Sequence, residues 1–188
     1  MARAKKKTNL PSVYLDSCVF IHYLNNECLT KSDSSEESKE MHRKALRLLR
    51  LGETRKIEIV TSTFTFAEVV AKSESISEED QERRIEALFG KEFITPINYE
   101  RKVAEVSRMF TRRISKMKPP DSIHIATAIR HKADCFITFD NNFIEKTKTF
   151  IEKLGKDLPH IKNIEIADFP QKIDVGQGLF SIMDFPLS

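Results

Sequence analysis

The stretch KPPDSIHIATAIRHKADCFITFDNNF, Lys118 to Phe143, decides how the chain is read. Lys118-Pro119-Pro120 stops the preceding element, because a residue before proline is pushed out of the helical region. Asp121 and Ser122 then open a short helix in the manner of cap residues, and Ile125, Ala128 and Ile129 share its apolar face. Cys135 to Thr138 is an apolar run of buried-strand character, with Asp140 just past its carboxyl end and the polar pair Asn141-Asn142 following. An acid at a helix start and another past a strand end point to carboxylates delivered to one rim of a parallel sheet. That rim is where open α/β sheets bind ligands.

Upstream, Val13-Tyr14-Leu15 is a short strand ending at Asp16, and Cys18 to Leu24 continues as an apolar helical turn. Asn25 to Glu40 is polar and reads as a loop, with Ser34 and Glu37 offering a capping box. Met41, Ala45, Leu48 and Leu49 then supply a helix core face that Gly52 closes. Lys56 to Thr61 is a second strand. The next helix, about Thr63 to Lys72, turns Phe66, Ala67, Val69 and Val70 inward, and one acid, Glu68, sits among them. Ser77 caps a charged helix from Glu78 to Phe89, closed by Gly90; Glu92 to Ile97 is a third strand that Pro96 finishes. Asn98 caps a long helix whose Val103, Val106, Phe110, Ile114 and Met117 recur at steps of three and four. A helix from Asn142 to Leu154 and a strand at Asn163 to Ala167 follow; the tail from Asp168 to Ser188 has no assignable pattern.

Strand and helix alternate throughout, which predicts an α/β fold with a mainly parallel central sheet flanked by helices. If the first and fourth strands are neighbours, Asp16 and Asp140 meet at one crevice. The expected organisation is a basic arm over 1–12, a single domain over 13–167 and an extension over 168–188. At 188 residues the chain is long enough to bury a core without disulfides. Cys18, Cys28 and Cys135 are odd in number and lack C-x-x-C spacing, which argues against a secreted scaffold or a zinc finger. No apolar run approaches the ~18 residues of a membrane span, and the basic first residues lead into no signal sequence, so the expected place is the cytoplasm.

Each acid alone has a bland explanation: Asp121 as a helix cap, Asp16 and Asp140 as turn residues, Glu68 as a half-exposed helix position. Together they are four acids at strand ends or on helices just after strands. Carboxylates brought together repel one another, so such a group calls for a cation. Oxygen ligands without a His-x-His or Cys cluster select Mg²⁺ or Mn²⁺ over Zn²⁺, and such ions suit phosphodiester chemistry.

These residues resemble a PIN-domain nuclease of the VapC toxin type. The matching pieces are VYLDSCVFIHYL with Asp16, TSTFTFAEVV with Glu68, PPDSIHIATA with Asp121, and FITFDNNF with Thr138 and Asp140, all in the family's order. The resemblance implies a compact parallel-sheet fold, an acidic site of Asp16, Glu68, Asp121 and Asp140 holding Mg²⁺ or Mn²⁺, and endonucleolytic cleavage of RNA. It also implies a cognate antitoxin and a homodimer. The chain departs from the family in its polar loop before Met41 and in its tail. Asn141 and Asn142 also stand where some relatives carry another acid.

From Asn98 to Lys118 there are seven basic and two acidic residues, a local +5 against +3 for the whole chain. Arg112, Arg113 and Lys116 would lead a phosphate backbone toward the acids, although such a face is most often merely solvated. Lys5-Lys6-Lys7 would add unspecific attraction. His124 is a candidate for a phosphate or metal-bound water, against the commoner role of a packed histidine; Ser17, Thr138 and Asn142 are candidates to orient the site. With no Trp and three Tyr, an extended base-stacking platform is not expected. The rival to the enzyme is a non-cleaving RNA-binding regulator with the same fold. A receiver-like phosphoacceptor fits less well, since its third-strand Asp is missing.

Overall fold

In the computed structural model, residues 10–28, 35–69, 77–154, 165–167, 172–174 and 179–181 are described. The elements in order are β1 (Ser12–Leu15), α1 (Ser17–Cys28), α2 (Glu36–Glu53), β2 (Glu58–Ser62), α3 (Thr65–Glu68), α4 (Glu78–Phe89) and β3 (Ile94–Ile97). They continue as α5 (Arg101–Arg113), α6 (Pro119–His131), β4 (Cys135–Ile137), α7 (Asn141–Leu154), β5 (Glu165–Ala167), β6 (Lys172–Asp174) and β7 (Leu179–Ser181). Among the described residues, no helix is long and apolar enough to cross a membrane.

Five strands form one sheet in the order β3-β2-β1-β4-β5, and every pairing in it is parallel. The order reverses between β1 and β4, which pair with Val13 opposite Cys135 and Leu15 opposite Ile137. This is the topological switch point, and the expected adjacency of the first and fourth strands is observed. Side chains alternate across the sheet. Val13, Leu15, Ile59, Cys135 and Ile137 enter one core with residues of α1, α2 and α4. Tyr14, Val60 and Phe136 enter the other with residues of α5, α6 and α7. Both faces are thus covered, which is why these strands read as near-continuous apolar runs. In the tail, β6 and β7 pair antiparallel, a hairpin that the sequence pattern did not show.

Several element boundaries differ from expectation, each for a local reason. The predicted loop over 25–40 is shorter, since α1 runs on to Cys28 and α2 starts at Glu36. The cap is Ser35, whose hydroxyl accepts the Ser38 N–H at 3.1 Å, with Glu36 and Glu37 complementing the helix dipole. Gly52 does not close α2, which continues to Glu53; a Cβ there would lie 2.5 Å from Ile59 Cδ1 and 2.9 Å from the Phe93 ring. Glycine is needed because α2 is pressed against β2. Instead of a helix over 63–72, α3 has four residues and Val69 is already extended. Phe66 is consequently 41% exposed and not inward.

Pro96 lies within β3, which tolerates it because β3 is an edge strand with an unpaired side. Asn98 does not cap α5; Glu100 occupies the cap position without a side-chain bond, and the helix ends at Arg113. Ile114 and Met117 are nonetheless buried beyond its end. At α6, Pro119 and Pro120 fill the first two helical positions, and Lys118, extended as a pre-proline residue must be, stands at the cap. Asp121 is therefore inside the first turn and not its cap. Of the basic residues expected on one helix face, Arg112 and Arg113 are exposed in the last turn of α5, while Lys116 lies past its end with φ 59° and is off the helix. Lys5-Lys6-Lys7 lies outside the described residues.

Candidate active site

The site is assembled at the carboxyl ends of β1, β2 and β4 and the start of α6. Asp16 continues the β1–β4 ladder by one bond, its N–H donating to the Ile137 carbonyl at 3.0 Å. Its carboxylate is closely held. Oδ1 accepts the Ser17 N–H at 2.8 Å, and Oδ2 accepts the Thr138 hydroxyl at 2.7 Å and the Cys18 thiol at 3.3 Å. Burial, and then the Asp16 charge, push the Cys18 pKa well up, so that the sulfur keeps its proton for this bond. Cys18 Sγ in turn accepts the Phe139 N–H at 3.2 Å, and Thr138 Oγ1 accepts the Asp140 N–H at 3.2 Å. The two strand-end corners are therefore laced together through Thr138 and Cys18. Asp140 is exposed and caps α7: its Oδ1 accepts the Phe143 N–H at 3.1 Å and its carbonyl the Ile144 N–H at 3.0 Å.

Asp121 is held differently. It is half-buried and accepts none of the capping bonds expected of it. Burial raises its pKa first and the Asp16 charge next; Lys118 opposes them, while Asp140 adds to the rise. The neighbouring Ser122 anchors this helix start, sharing 2.7 Å and 2.9 Å contacts with the hydroxyls of Ser107 and Thr111 on α5.

Glu68 closes the group from α3. Its Oε2 lies 2.5 Å from His124 Nε2, which is also 3.6 Å from Asp16 Oδ1. Burial alone would depress the His124 pKa, but the Glu68 hydrogen bond and the charges of Asp16, Glu68 and Asp121 outweigh it and raise it. The other ring nitrogen, Nδ1, is 2.8 Å from the Tyr14 hydroxyl. Burial followed by the Asp16 charge puts the Tyr14 pKa well above its usual range, so the phenol stays neutral.

The structure thus sets Asp121 within electrostatic reach of Asp16 and Asp140, and joins Glu68 to them through His124, which feels the charges of Asp16, Glu68 and Asp121. Ser17 and Thr138 contact Asp16, and Asn142 is exposed. His124 is 1% exposed and reaches Glu68, not solvent. Tyr14 and Cys18 were read from the sequence as apolar core. Their signal was available in principle, because a buried phenol requires a partner for its hydroxyl. Arg113 also lines an open cavity of about 450 Å³ with Lys146 and Phe150, and none of the four acids lines it.

The donors at the rim are carboxylate and hydroxyl oxygens, the set preferred by Mg²⁺ or Mn²⁺. Among the described residues, no three His, Cys, Asp or Glu side chains converge into a ready cage. The fit is to a hydrated ion held by one or two carboxylates, which needs no cage.

The sequence profile of the PIN domain matches residues 13–148. Among solved structures, the chain is similar to Mycobacterium tuberculosis VapC20, described as a sarcin-ricin loop cleaving toxin, at 14% identity and TM-score 0.49, covering 70% of this chain and 92% of that one. It is also similar to FitAB bound to an IR36 DNA fragment, at 15% identity and TM-score 0.48, covering 83% and 94% respectively. No curated protein matches the sequence.

Proposed function

The chain belongs to the PIN-domain family, whose members are generally nucleases, and on that premise we propose that it is a metal-dependent endoribonuclease. The observation that carries the proposal is Asp121: a half-buried carboxyl with a raised pKa, set beside Asp16 and Asp140 at the switch point of a parallel sheet. Such a carboxyl is destabilising until a cation shares it. Of Asp16, Glu68, Asp121 and Asp140, one or two carboxylates would hold a hydrated Mg²⁺ or Mn²⁺ directly and the others would act through its waters. When bound, such an ion lowers the pKa of a water and offsets charge on a phosphodiester.

The chain's own groups prepare the site. Ser17, Cys18 and Thr138 fix the Asp16 carboxylate, and the hydroxyl of Thr138 also takes the Asp140 N–H, setting the spacing of the two corners. Arg112, Arg113 and Lys116, exposed on the approach to Asp121, attract the phosphate backbone without reading sequence. The division into an arm over 1–12, a nuclease unit over 13–167 and an extension over 168–188 belongs to the same proposal, supported by β5 pairing with β4. The VapC-like order of the four motifs extends it to a cytoplasmic toxin restrained by an antitoxin and acting as a homodimer.

The test is incubation of purified protein with mixed RNA, with and without Mn²⁺ or Mg²⁺. Discrete metal-dependent fragments, absent in Asp16→Asn, are expected. Binding of RNA without any cleavage would favour the non-cleaving regulator. Changing Arg112, Arg113 and Lys116 to Glu should weaken RNA binding and flatten its salt dependence; an unchanged slope would show that face to be merely solvated.

A further inference from the structure

Two buried polar residues remain outside the mechanism, Tyr14 and His124, and they form a chain that ends on Glu68. Tyr14 lies in the middle of β1, fully buried, its ring stacked on Phe136 of β4 at 5.1 Å and 7°. The neighbouring strand thus holds the phenol rigidly. Its hydroxyl meets His124 Nδ1 at 2.8 Å, and His124 Nε2 meets Glu68 Oε2 at 2.5 Å. A carboxylate only accepts, so Nε2 carries the proton and donates it to Glu68. Both ring nitrogens are then engaged and the imidazole has one orientation. The Phe64 ring packs against it edge-on at 6.1 Å.

Exposure separates the roles. With 1% of its surface accessible, His124 cannot touch a phosphate or bulk water, whereas the Glu68 side chain is 22% exposed and reaches the rim. Glu68 also stands on the weakest support of the four acids. Its helix has four residues, and the backbone turns extended at the next residue, Val69. A single helical turn does not by itself hold a carboxylate in one place.

We infer that His124, braced by Tyr14, is the positioning residue for Glu68, tying one carboxylate oxygen to the central sheet and leaving the other for the divalent ion. This rests on the nuclease reading, since it assigns a purpose to Glu68 that only a bound cation gives. Supporting partners of metal ligands are typically worth 10- to 100-fold in metal affinity or activity.

The experiment is a Mn²⁺ titration by calorimetry on folded wild type, Tyr14→Phe, His124→Leu, His124→Gln, Glu68→Gln and the double variant His124→Leu with Glu68→Gln, with cleavage measured in parallel. His124→Leu should weaken Mn²⁺ binding by about tenfold or more. His124→Gln, whose amide N–H reaches the Nε2 position, should recover most of the loss, and Tyr14→Phe should fall between. In the double variant the His124 change should cost nothing beyond Glu68→Gln. A role in packing alone would give Leu and Gln equal effects and leave Mn²⁺ affinity unmoved. Should His124→Leu misfold, Tyr14→Phe and His124→Gln still decide, because wild-type affinity in Tyr14→Phe together with loss in His124→Gln overturns the assignment. Wild-type affinity in His124→Leu, or an additive loss in the double variant, overturns it while the nuclease reading stands. A wild type that neither binds Mn²⁺ nor cuts RNA removes both.

Discussion

Asp16 and Asp121 stand close enough for the charge of one to raise the pKa of the other, yet they are held in opposite ways. At the β1–β4 corner, Asp16 accepts bonds from Ser17, Thr138 and Cys18, and Asp140 accepts the Phe143 N–H as a helix cap. At the start of α6, Asp121 is half-buried and takes no capping bond. The first corner contributes to stability whether or not a cation arrives. The second gains from being charged only when one does. A site can therefore combine acids that the fold needs with acids that only the chemistry needs.

The two corners should behave alike in catalysis. Asp16→Asn and Asp121→Asn should each reduce metal-dependent RNA cleavage by more than ~100-fold, about 2.7 kcal/mol, with unchanged far-UV circular dichroism. Full cleavage in either variant would remove that acid from the site. They should part in their thermal response to metal. Mn²⁺ at a hundredfold excess over its dissociation constant should stabilise the wild type by ~2.7 kcal/mol, and Asp121→Asn should shrink that gain. The same variant should raise the metal-free melting temperature, because it relieves a buried carboxyl. A fall in melting temperature would place Asp121 with the structural acids.

A smaller effect sharpens the other side. Asp140→Ala should destabilise the metal-free protein by ~1 kcal/mol through loss of the α7 cap, whereas Asp140→Asn should keep most of the cap. Chemical denaturation of the pair measures this, and equal midpoints would contradict the capping bond. The smallest effect is that of pH. The raised pKa values of Asp121 and His124 mean that the folded state binds protons more tightly than the unfolded state, so their contribution is full below the unfolded values. It is lost as pH rises through the folded values. The metal-free melting temperature should thus fall as pH climbs above 6.5, the ordinary imidazole value, and a flat profile in that range would count against the Glu68–His124 bond.

Much of the rim was legible because an acid one or two residues past an apolar strand has few places to go in a parallel sheet. Asp16 and Asp140 were found in this way, and the pairing of β1 with β4 followed from the switch-point rule. The roles of the caps were not legible. Asp121 follows two prolines and resembles a cap, but those prolines are themselves helical and shift the cap back to Lys118. Periodicity likewise misplaced Phe66 and Ala67, since apolar spacing does not reveal that a helix stops after four residues. Tyr14 looked like core, and it is core; its second role depends on a histidine 110 residues away. Gly52 read as a helix end because local rules know nothing of Ile59 pressing from another layer.

The pairing of β1 with β4 also has a consequence for how the protein is made. Val13 and Cys135 are neighbours in space but far apart in the order of synthesis, so β1 can acquire β2 and β3 long before its other partner exists. Until Thr138 leaves the ribosome, Asp16 lacks the hydroxyl that fixes it, and Asp121 and Asp140 have no rim to join. Long-range parallel pairing is intrinsically slow to form, and here it falls to the last part of the sheet to be translated. A nascent chain, or one cut short before β4, consequently lacks the rim on which the proposed chemistry depends. The fold withholds the site until most of the protein has been completed.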